Sequence, residues 1–220
     1  MGTWLVTGAN RGIGLDICRQ LRARGEGVIA VCRKSSPALE ELRVRIEVGV
    51  DVEKDEPVRG LGRTLAGVPI DVIVNNAGIL ERHSLDDSVM DSIRHQFEVN
   101  ALGPLRVTAA LLSNLRAGSK IAFVTSRMGS IADNESGGHY GYRMSKAALN
   151  MAGVTLARDL RSKNIAVVLV HPGYVRTEMT AGQGSVAVAE AALGIITRID
   201  ALTMATTGTF WHAAGEQLPW

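Results

Sequence analysis

Short apolar runs, separated by segments long enough to form helices, constrain the fold of this chain more than any other feature. Six runs of four to seven residues, rich in β-branched side chains, occupy positions 3–7, 28–32, 46–50, 72–75, 121–125 and 165–171. Polar residues rarely alternate with the apolar ones, which is typical of strands buried on both faces of a parallel sheet. The intervening segments can hold crossover helices. We therefore predict a single α/β domain over residues 1–220, doubly wound, with a mostly or wholly parallel sheet of six to seven strands.

The composition excludes several classes of protein. Hydrophobic residues make up 46% of the chain and charged residues 21%, as in ordinary globular proteins. The formal net charge is only +2, so no basic excess indicates nucleic acid. The longest uncharged run, 201–215, is too short and too polar to span a bilayer, and the N-terminus lacks the basic stretch of a signal peptide. The chain has only two cysteines, Cys18 and Cys32, so we expect reduced thiols and a cytoplasmic protein. From the charge and the uncharged run we expect binding to neither nucleic acid nor membrane.

A glycine-rich turn follows the first apolar run. Residues 7–14 read Thr-Gly-Ala-Asn-Arg-Gly-Ile-Gly and precede a predicted helix that extends to about Arg24. In such a turn the N–H groups at the helix N-terminus form an anion site, and glycine lets the main chain approach a phosphate closely. The glycines could serve packing alone, but their place in the first strand–helix unit favours nucleotide binding. The spacing is not G-x-G-x-x-G, since the glycines stand at 8, 12 and 14 and residue 17 is isoleucine.

Tyr142 and Lys146 are four residues apart, so on a helix they share one face. Leu149 and Gly153 continue that face, which leaves a core position as the alternative, although burying an unpartnered lysine is unfavourable. A free tyrosine has a pKa of about 10. A nearby cation favours the phenolate, so we expect Lys146 to lower the pKa of Tyr142. The pair then suits proton exchange with a substrate oxygen near neutral pH.

Ser126 follows the fifth apolar run, where its hydroxyl is placed to hydrogen-bond a substrate carbonyl. Alone it would be an ordinary strand-end serine, and the tyrosine and lysine downstream favour a catalytic role. No G-x-S-x-G sequence surrounds it, which argues against an acylating nucleophile. The histidines show no ligand spacing, so we expect no metal site; they are His83, His95, His139, His171 and His212.

The spacing Thr-Gly-x-x-x-Gly-x-Gly at 7–14 resembles the short-chain dehydrogenase/reductase family. Further features agree in order and spacing: Asn-Asn-Ala-Gly at 75–78, Asn100, Ser126, Tyr-x-x-x-Lys at 142–146, and Pro-Gly at 172–173 with Thr177. The resemblance implies a Rossmann fold and hydride transfer between a nicotinamide cofactor and a carbonyl carbon. It selects Tyr142 over Tyr140 and makes Tyr142 the proton donor.

The resemblance also implies a set of site residues. The catalytic set is Asn100, Ser126, Tyr142 and Lys146, with Tyr142 and Lys146 also touching the cofactor and Lys146 donating to the nicotinamide ribose. Asp51 and Val52 are assigned to the adenine ring, and Asn75, Ala77 and Gly78 to the adenosine side. The other expected cofactor contacts follow five of the apolar runs: Gly8, Asn10, Arg11, Gly12, Ile13, Gly14, Arg33, Asp51, Val52, Asn75, Ala77, Gly78, Pro172, Val175 and Thr177.

The end of the second apolar run determines the expected cofactor. In Rossmann units an acidic residue near this point binds the ribose 2′-hydroxyl of NAD, whereas an arginine accommodates the 2′-phosphate of NADP. Here residues 31–34 read Val-Cys-Arg-Lys, without a carboxylate. We therefore predict NADP(H), with a bidentate contact from Arg33 and a second positive charge from Arg11. The alternative is that Arg33 and Lys34 are solvated surface cations.

By the same resemblance, residues 175–198 bind the substrate. No aromatic residue lies between Tyr174 and Phe210, so we expect a wide pocket. The tail, which ends Leu-Pro-Trp at 218–220, and the arginine after Tyr142 resemble the sniffer-type carbonyl reductases and the C-factor-like proteins. That subgroup implies reduction of an aldehyde, ketone or quinone, and the family implies a homodimer or homotetramer. Two alternatives remain open: an NAD-dependent alcohol dehydrogenase, and a nucleotide-binding signalling protein on the same fold.

The region 86–116 is predicted to be helical, with a possible capping box from Ser84 and Asp87 and helical spacing from Val89 onward. It is longer than a typical helix, so we expect an interruption. Pro104 has no N–H and cannot bond the carbonyl of Asn100, four residues earlier. We predict a break between residues 99 and 104 and, by resemblance, a water on the freed carbonyl that links Lys146 to solvent. The alternative is that Pro104 simply opens a second helix.

Overall fold

A seven-stranded sheet organises residues 2–82 and 90–220, which are the residues that this computed structural model describes. Its strands are β1 (Thr3–Thr7), β2 (Gly27–Val31), β3 (Arg45–Glu47), β4 (Val72–Asn75), β5 (Lys120–Val124), β6 (Ala166–His171) and β7 (Thr209–His212). Every neighbouring pair is parallel, and the order across the sheet is β3-β2-β1-β4-β5-β6-β7. The predicted doubly wound α/β fold is thereby confirmed, with seven strands and a wholly parallel sheet.

Helices connect the strands. They are α1 (Gly12–Ala23), α2 (Pro37–Glu40), α3 (Asp55–Thr64), α4 (Met90–Phe97), α5 (Gly103–Ala110), α6 (Tyr140–Asp159) and α7 (Val188–Asp200). A π-helical turn, Glu98–Leu102, joins α4 to α5, and a 3₁₀ turn, Arg127–Gly129, follows β5. Among the described helices none has the length and apolar character needed to cross a membrane.

The core lies on both faces of the sheet because successive strand side chains point in opposite directions. Val6 packs on one face with residues of α1 and α7, whereas its neighbour Leu5 packs on the other face with residues of α3 and α5. Phe123 of β5 meets α6 on that second face. Burial on both sides explains why the strands read as continuous apolar runs.

The strand bounds differ from the prediction mainly at the third strand. The run 46–50 was expected to be paired throughout, but β3 ends at Glu47. Gly49 has a φ of +76° and Val48 is exposed, so regular pairing ends there, while the N–H groups of Gly49 (3.0 Å) and Val50 (3.2 Å) still bond the carbonyls of Arg33 and Cys32. The seventh strand was not among the six predicted runs. It pairs with β6, and the tail folds back on it through Leu218 N–H to the Phe210 carbonyl (2.8 Å).

Because all strands are parallel, their carboxyl ends meet at one edge of the sheet. The loops that carry the predicted site residues all leave from that edge.

Candidate active site

The glycine turn joins β1 to α1 in a conformation that a side chain would not permit. Gly8 and Gly12 have φ values of +64° and +53°, a region that favours glycine. A Cβ on Gly14 would overlap the carbonyl oxygen of Gly8 and lie 2.6 Å from Nδ2 of Asn76. The side chain of Arg11, which precedes α1, does not cap the helix. Free N–H groups at the start of a twelve-residue helix, beside a main chain without side chains, form a fitting cradle for a phosphate.

Asn76, rather than its neighbour Asn75, supports this turn. Asn76 Nδ2 donates to the carbonyl oxygens of Thr7 (2.9 Å) and Gly8 (3.3 Å), and Thr7 Oγ1 accepts from the N–H groups of Asn76 and Ala77. Asn75 was expected to contact the cofactor, but its side chain is 1% exposed and donates to Thr108 Oγ1 (3.2 Å). As the last residue of β4, Asn75 turns its side chain toward α5, and its contact with the cofactor stays a prediction.

The segment after β2 lies against the glycine turn. Ser36 Oγ donates to the carbonyl of Asn10 (2.7 Å) and accepts from Leu39 N–H (3.2 Å), so Ser36 caps α2 and ties it to the turn. Arg33 and Lys34 are exposed nearby. Over the described ranges the guanidinium of Arg33 makes no ion pair, which leaves its charge available to an anion. The sequence alone offered no reason to single out Ser36.

Arg11 is placed differently from the prediction. It was expected to add a second positive charge at the turn, but it forms an ion pair with Glu178, in the segment that follows β6. Both side chains are largely exposed, so water screens the pair. Such a screened pair is weak and can open, so the contact of Arg11 with the cofactor stays a prediction, beside the exposed Arg33 and Lys34.

The residues assigned to the adenine ring follow β3 at the same edge. Val52 is buried against Gly103, where a Cβ would lie 3.0 Å from Val52 Cγ2. Asp51 is half-buried, and its Oδ1 accepts from Glu53 N–H (3.2 Å). The structure thus places this pair between β3 and the start of α5.

The segment after β6 crosses toward the glycine turn. Gly173 has a φ of +90°, and Val175 is buried and bridged to Val186. Thr177 caps a 3₁₀ turn, and its Cγ2 lies 3.7 Å from where a Cβ on Gly12 would stand. The predicted substrate segment therefore begins directly beside the glycine turn and continues into α7.

Ser126, Tyr142 and Lys146 converge at the carboxyl end of β5. Ser126 caps the 3₁₀ turn through a hydrogen bond from Met128 N–H to its Oγ (3.2 Å), and its hydroxyl lies close enough to the phenol of Tyr142 to lower the pKa of that group. Lys146 is 4% exposed, and its Nζ donates to the carbonyl of Val124 (3.0 Å). That ammonium lies 5.8 Å from the centre of the Tyr142 ring. The helical spacing and the end of β5 thus bring together the three predicted groups.

The pKa of Tyr142 is shifted in the direction opposite to the prediction. Burial raises the pKa of the phenol, and the hydrogen bond with Ser126 offsets this only in part. Burial likewise lowers the pKa of Lys146 to about 8. Removing both groups from water outweighs the attraction of a cation that is engaged with the Val124 carbonyl. The phenol is therefore protonated at neutral pH, in the form that donates a proton.

Asn100 lies in the π-helical turn of a helix that continues from Met90 to Ala110, so the α-helical pattern changes at the predicted position without a break in the helix. Pro104 stands in the first turn of α5, as the alternative had it. The turn is closed by Gly103 N–H bonding the carbonyl of Glu98, five residues earlier. The buried Asn100 side chain makes a two-point contact with Ile79, accepting from its N–H (2.8 Å) and donating to its carbonyl (2.9 Å). The predicted capping box of Ser84 and Asp87, and Val89, lie outside the described residues.

Asn100 is also connected to the tyrosine–lysine pair. Its Nδ2 donates to Ser145 Oγ (3.1 Å), which donates to the carbonyl of Tyr142 (2.8 Å). A Cβ on Gly78 would lie 3.1 Å from Asn100 Oδ1 and 3.6 Å from Lys146 Nζ. The glycine at 78 therefore leaves space between these two groups.

Sequence reasoning missed Gln96, one turn before Asn100. Its buried amide accepts from Glu81 N–H (3.1 Å) and donates to the Glu81 carbonyl (3.3 Å), as Asn100 does with Ile79. The two amides thus hold the loop after β4 against α4. The four-residue spacing of Gln96 and Asn100, which places both on one helix face, was the sequence signal that could have identified Gln96.

The four histidines in the described part of the chain belong to no metal-binding cluster there. Within the described ranges no group of three or more His, Cys, Asp or Glu side chains is arranged to hold an ion. His171 and His212 meet edge to face, with ring centres 5.0 Å apart, at the ends of β6 and β7. Burial lowers the pKa of His171 to about 3, so this ring is neutral. His83 lies outside the described residues.

A known protein family matches most of this chain. The model of the family described as short chain dehydrogenase matches residues 3–186. The 1-hydroxy-2-glutathionyl-2-methyl-3-butene dehydrogenase of Rhodococcus sp. (strain AD45) is 43% identical, over 100% of both chains. The C-signal protein of Myxococcus xanthus is 42% identical, over 74% of this chain and 100% of its own.

Solved structures agree with these relatives. The carbonyl reductase Sniffer of D. melanogaster superposes with a TM-score of 0.93 at 28% identity, over 100% of both chains. The NADPH-bound carbonyl reductase from chicken fatty liver has a TM-score of 0.90 at 28% identity, over 100% of this chain and 99% of its own. These neighbours and C-signal confirm the likeness to the sniffer-type and C-factor-like subgroup.

Proposed function

This chain belongs to the short-chain dehydrogenase/reductase family of oxidoreductases, and we propose that it reduces the carbonyl group of an aldehyde, ketone or quinone with NADPH, Tyr142 donating the proton. The observation that carries the proposal is the convergence of Ser126, Tyr142 and Lys146, with a phenol that burial keeps protonated at neutral pH. A reduction needs a proton donor at the oxygen, so this ionisation state favours the reductive direction.

The residues present fit a nicotinamide dinucleotide. The N–H groups at the start of α1 would hold the pyrophosphate, in a turn where Gly14 has no room for a side chain. Arg33 would bind the 2′-phosphate, which favours NADPH over NADH. Val52 and Asp51 would flank the adenine ring, and Lys146 would donate to the nicotinamide ribose. When bound, NADPH supplies the hydride that adds to the carbonyl carbon.

The protein's own groups complete the reaction. The hydroxyl of Ser126 orients the carbonyl oxygen beside Tyr142, and the phenol transfers its proton as negative charge develops on that oxygen. The resulting phenolate keeps the hydrogen bond from Ser126 and the nearby charge of Lys146. With a pKa of about 8, Lys146 can return a proton to Tyr142 near neutral pH. Asn100 would hold the water that connects Lys146 to solvent.

Oxidation of an alcohol is the second candidate function. The relative at 43% identity is named a dehydrogenase of a hydroxylated glutathione conjugate, and the same three side chains would run in reverse, with the Tyr142 phenolate as base. The raised pKa of the phenol disfavours that direction at neutral pH. The likeness to C-signal brings in a signalling role as a third candidate, but a protein that only senses a nucleotide has no need of a proton-transfer set.

One experiment separates these candidates. Purified protein is given NADPH or NADH with a panel of aldehydes, ketones and quinones, and NADP⁺ or NAD⁺ with a panel of alcohols that includes a glutathione conjugate. We expect oxidation of NADPH with carbonyls, and slower turnover with NADH. Turnover confined to the alcohols would support the second candidate, and no turnover with any pair would reject the proposed function.

We also propose that the protein is a homodimer or homotetramer. Met144 and Met151 are seven residues apart on one face of α6, and are 48% and 68% exposed. Exposed apolar side chains in a row favour burial against another subunit. Light scattering after size-exclusion chromatography tests this, and a mass of one 23.4 kDa chain would contradict it.

A further inference from the structure

A buried amide on α6 lies close to the proposed catalytic groups without belonging to them. Asn150 stands one turn beyond Lys146 and two turns beyond Tyr142, on the same face of the helix. It is 4% exposed. A buried amide must find partners for both its donor and its acceptor.

Its two partners stand on either side of Ser126 in the chain. Thr125 Oγ1 donates to Asn150 Oδ1 (2.7 Å), and Asn150 Nδ2 donates to the carbonyl of Gly129 (3.2 Å). Thr125 directly precedes Ser126, and Gly129 ends the 3₁₀ turn that Ser126 caps. One side chain therefore fixes both the entry to that turn and its exit.

The turn itself rests directly on the backbone of α6. A Cβ on Gly129 would lie 2.7 Å from the carbonyl carbon of Lys146 and 3.0 Å from the nitrogen of Ala147. This close approach leaves no space for sliding, and the Asn150 amide supplies the direction-specific bonds that hydrophobic contact lacks. The segment carrying Ser126 is thus held at one position along the helix that carries Tyr142 and Lys146.

We propose that Asn150 is a positioning residue, which holds the hydroxyl of Ser126 in register with Tyr142 and Lys146 through its bonds to Thr125 and Gly129. The proposal rests on the proposed function, because it assigns Asn150 to the geometry of that reaction. An apolar residue would leave the Gly129 carbonyl and the Thr125 hydroxyl unpaired in the core. Displacing Ser126 would weaken its hydrogen bond to the phenol and misplace the carbonyl that it orients.

The chain offers a matched control in Asn114, which is also buried, at 6% exposure. Its Nδ2 donates to two carbonyls, those of Leu65 (2.6 Å) and Val68 (2.8 Å). Asn114 precedes β5, at the amino edge of the sheet and away from the proposed site. Asn150→Leu and Asn114→Leu therefore each remove a buried amide with two bonds, and only the first of the two bears on Ser126.

The test compares these two variants with Thr125→Val, which removes one bond, and Thr125→Ser, which restores the hydroxyl. We expect kcat to fall roughly 10- to 100-fold in Asn150→Leu, since a misplacement of about 1 Å can have that effect. The kcat of Thr125→Val should fall less, and the kcat of Thr125→Ser should match that of the wild type. The dissociation constant for NADPH should stay unchanged in all four, because none of these residues borders the glycine turn. Asn114→Leu should lose thermal stability and keep its kcat.

The pH profile of kcat/KM provides a readout that lost stability alone would not move. The hydroxyl of Ser126 lowers the pKa of Tyr142, so displacing it should shift the alkaline limb of reduction upward in Asn150→Leu. The other charged or titratable groups on this side are Lys146 on the same helix, Arg127 in the turn with its partners Asp133 and Glu216, and the ring pair of His171 and His212, of which His171 is neutral. Wild-type kcat and pH profile in Asn150→Leu, or an equal shift in Asn114→Leu, would overturn the proposal.

A second measurement keeps this test separate from that of the proposed function. If wild-type protein reduces no carbonyl, the pKa of Tyr142 is followed by phenolate absorbance, as the difference between each protein and its Tyr142→Phe counterpart. A higher pKa in Asn150→Leu than in the wild type, with Asn114→Leu unchanged, would support the positioning role. Equal values in all three would reject it, whatever the reaction is.

Discussion

The glycine turn and the Ser126–Tyr142–Lys146 group lie at the same edge of the sheet but depend on different properties of the chain. The turn depends on main chain without side chains: Gly14 has no room for a Cβ, and Gly8 and Gly12 have positive φ. The second group is made of side chains whose pKa values are shifted by burial. The first region is suited to hold a charged molecule close to the backbone, and the second to move a proton.

This difference has an energetic basis. A main-chain cradle needs no desolvated charge of its own, because the N–H dipoles at a helix start supply the potential. Proton transfer needs groups that can change charge, and burying such groups is unfavourable for the fold. We therefore expect substitutions in the two regions to separate binding from turnover, and stability from activity.

Tyr142→Phe should have the largest effect on the second region alone. The ring packing is kept and the exchangeable proton is lost, so kcat should fall by about 10²- to 10⁴-fold. Calorimetric titration with NADPH should show unchanged affinity. Tyr140→Phe is the control, since Tyr140 is exposed on the same helix. Near-normal reduction by Tyr142→Phe would refute the assigned proton donor.

Gly14→Ala should affect the first region alone. The added methyl group overlaps the Gly8 carbonyl, and such overpacking typically destabilises by about 1–3 kcal/mol. We expect NADPH affinity to fall at least about tenfold, together with a lower melting temperature. Gly60→Ala in α3 is the control, because a Cβ there meets nothing closer than 3.7 Å, and alanine is the better helix former. Unchanged NADPH affinity in Gly14→Ala would show that the turn does not hold the cofactor.

Arg33→Asp should change which cofactor the first region accepts. A hydrogen-bonded charge is worth about 1.5–3 kcal/mol, so NADPH affinity should fall roughly 10- to 100-fold, while NADH binding is spared or improved. Arg161→Asp, exposed at the amino edge, should leave both affinities unchanged. Preference of the wild-type protein for NADH would overturn the cofactor assignment.

Lys146→Met should lower kcat, by less than Tyr142→Phe does, yet stabilise the fold. The folded-state pKa is about 8, against an ordinary value of 10.5, so the unfolded chain binds more protons between these values and stability rises with pH across that window. Below pH 8 the Lys146 ammonium is charged in both the folded and the unfolded state, so the full free-energy cost of burying that charge applies. The variant should gain roughly 1–3 kcal/mol at pH 7, a gain that fades toward pH 10.5.

Urea unfolding of wild type and Lys146→Met at pH 7 and pH 10 measures this gain. Lys163→Met, at an exposed position, should change stability by less than about 0.5 kcal/mol at either pH. A variant that is less stable than wild type at pH 7 would contradict the burial penalty assigned to Lys146.

Features governed by local spacing could be predicted from the sequence. Six of the seven strands, the glycine turn and the helix that carries Tyr142 and Lys146 depend on residues that are neighbours in the chain, because strand and helix periods place side chains by their spacing alone. Pro104 indicated an irregularity near Asn100 for the same reason, since a missing N–H acts four residues back; the helix changes to a π-helical turn there and does not break, and Pro104 lies in the first turn of α5.

Features governed by packing between distant segments were decided by the tertiary structure alone. The pairing of Arg11 with Glu178, the bonds of Asn75 to Thr108 and of Asn76 to Thr7, and the bonds of Asn150 to both sides of Ser126 all join segments that no local period relates. The rise in the pKa of Tyr142 is of the same kind, because it reflects how far folding removes the phenol from water. Residue types and their spacing indicate which chemistry is present in the chain, but burial and long-range partners set its charge state and its geometry.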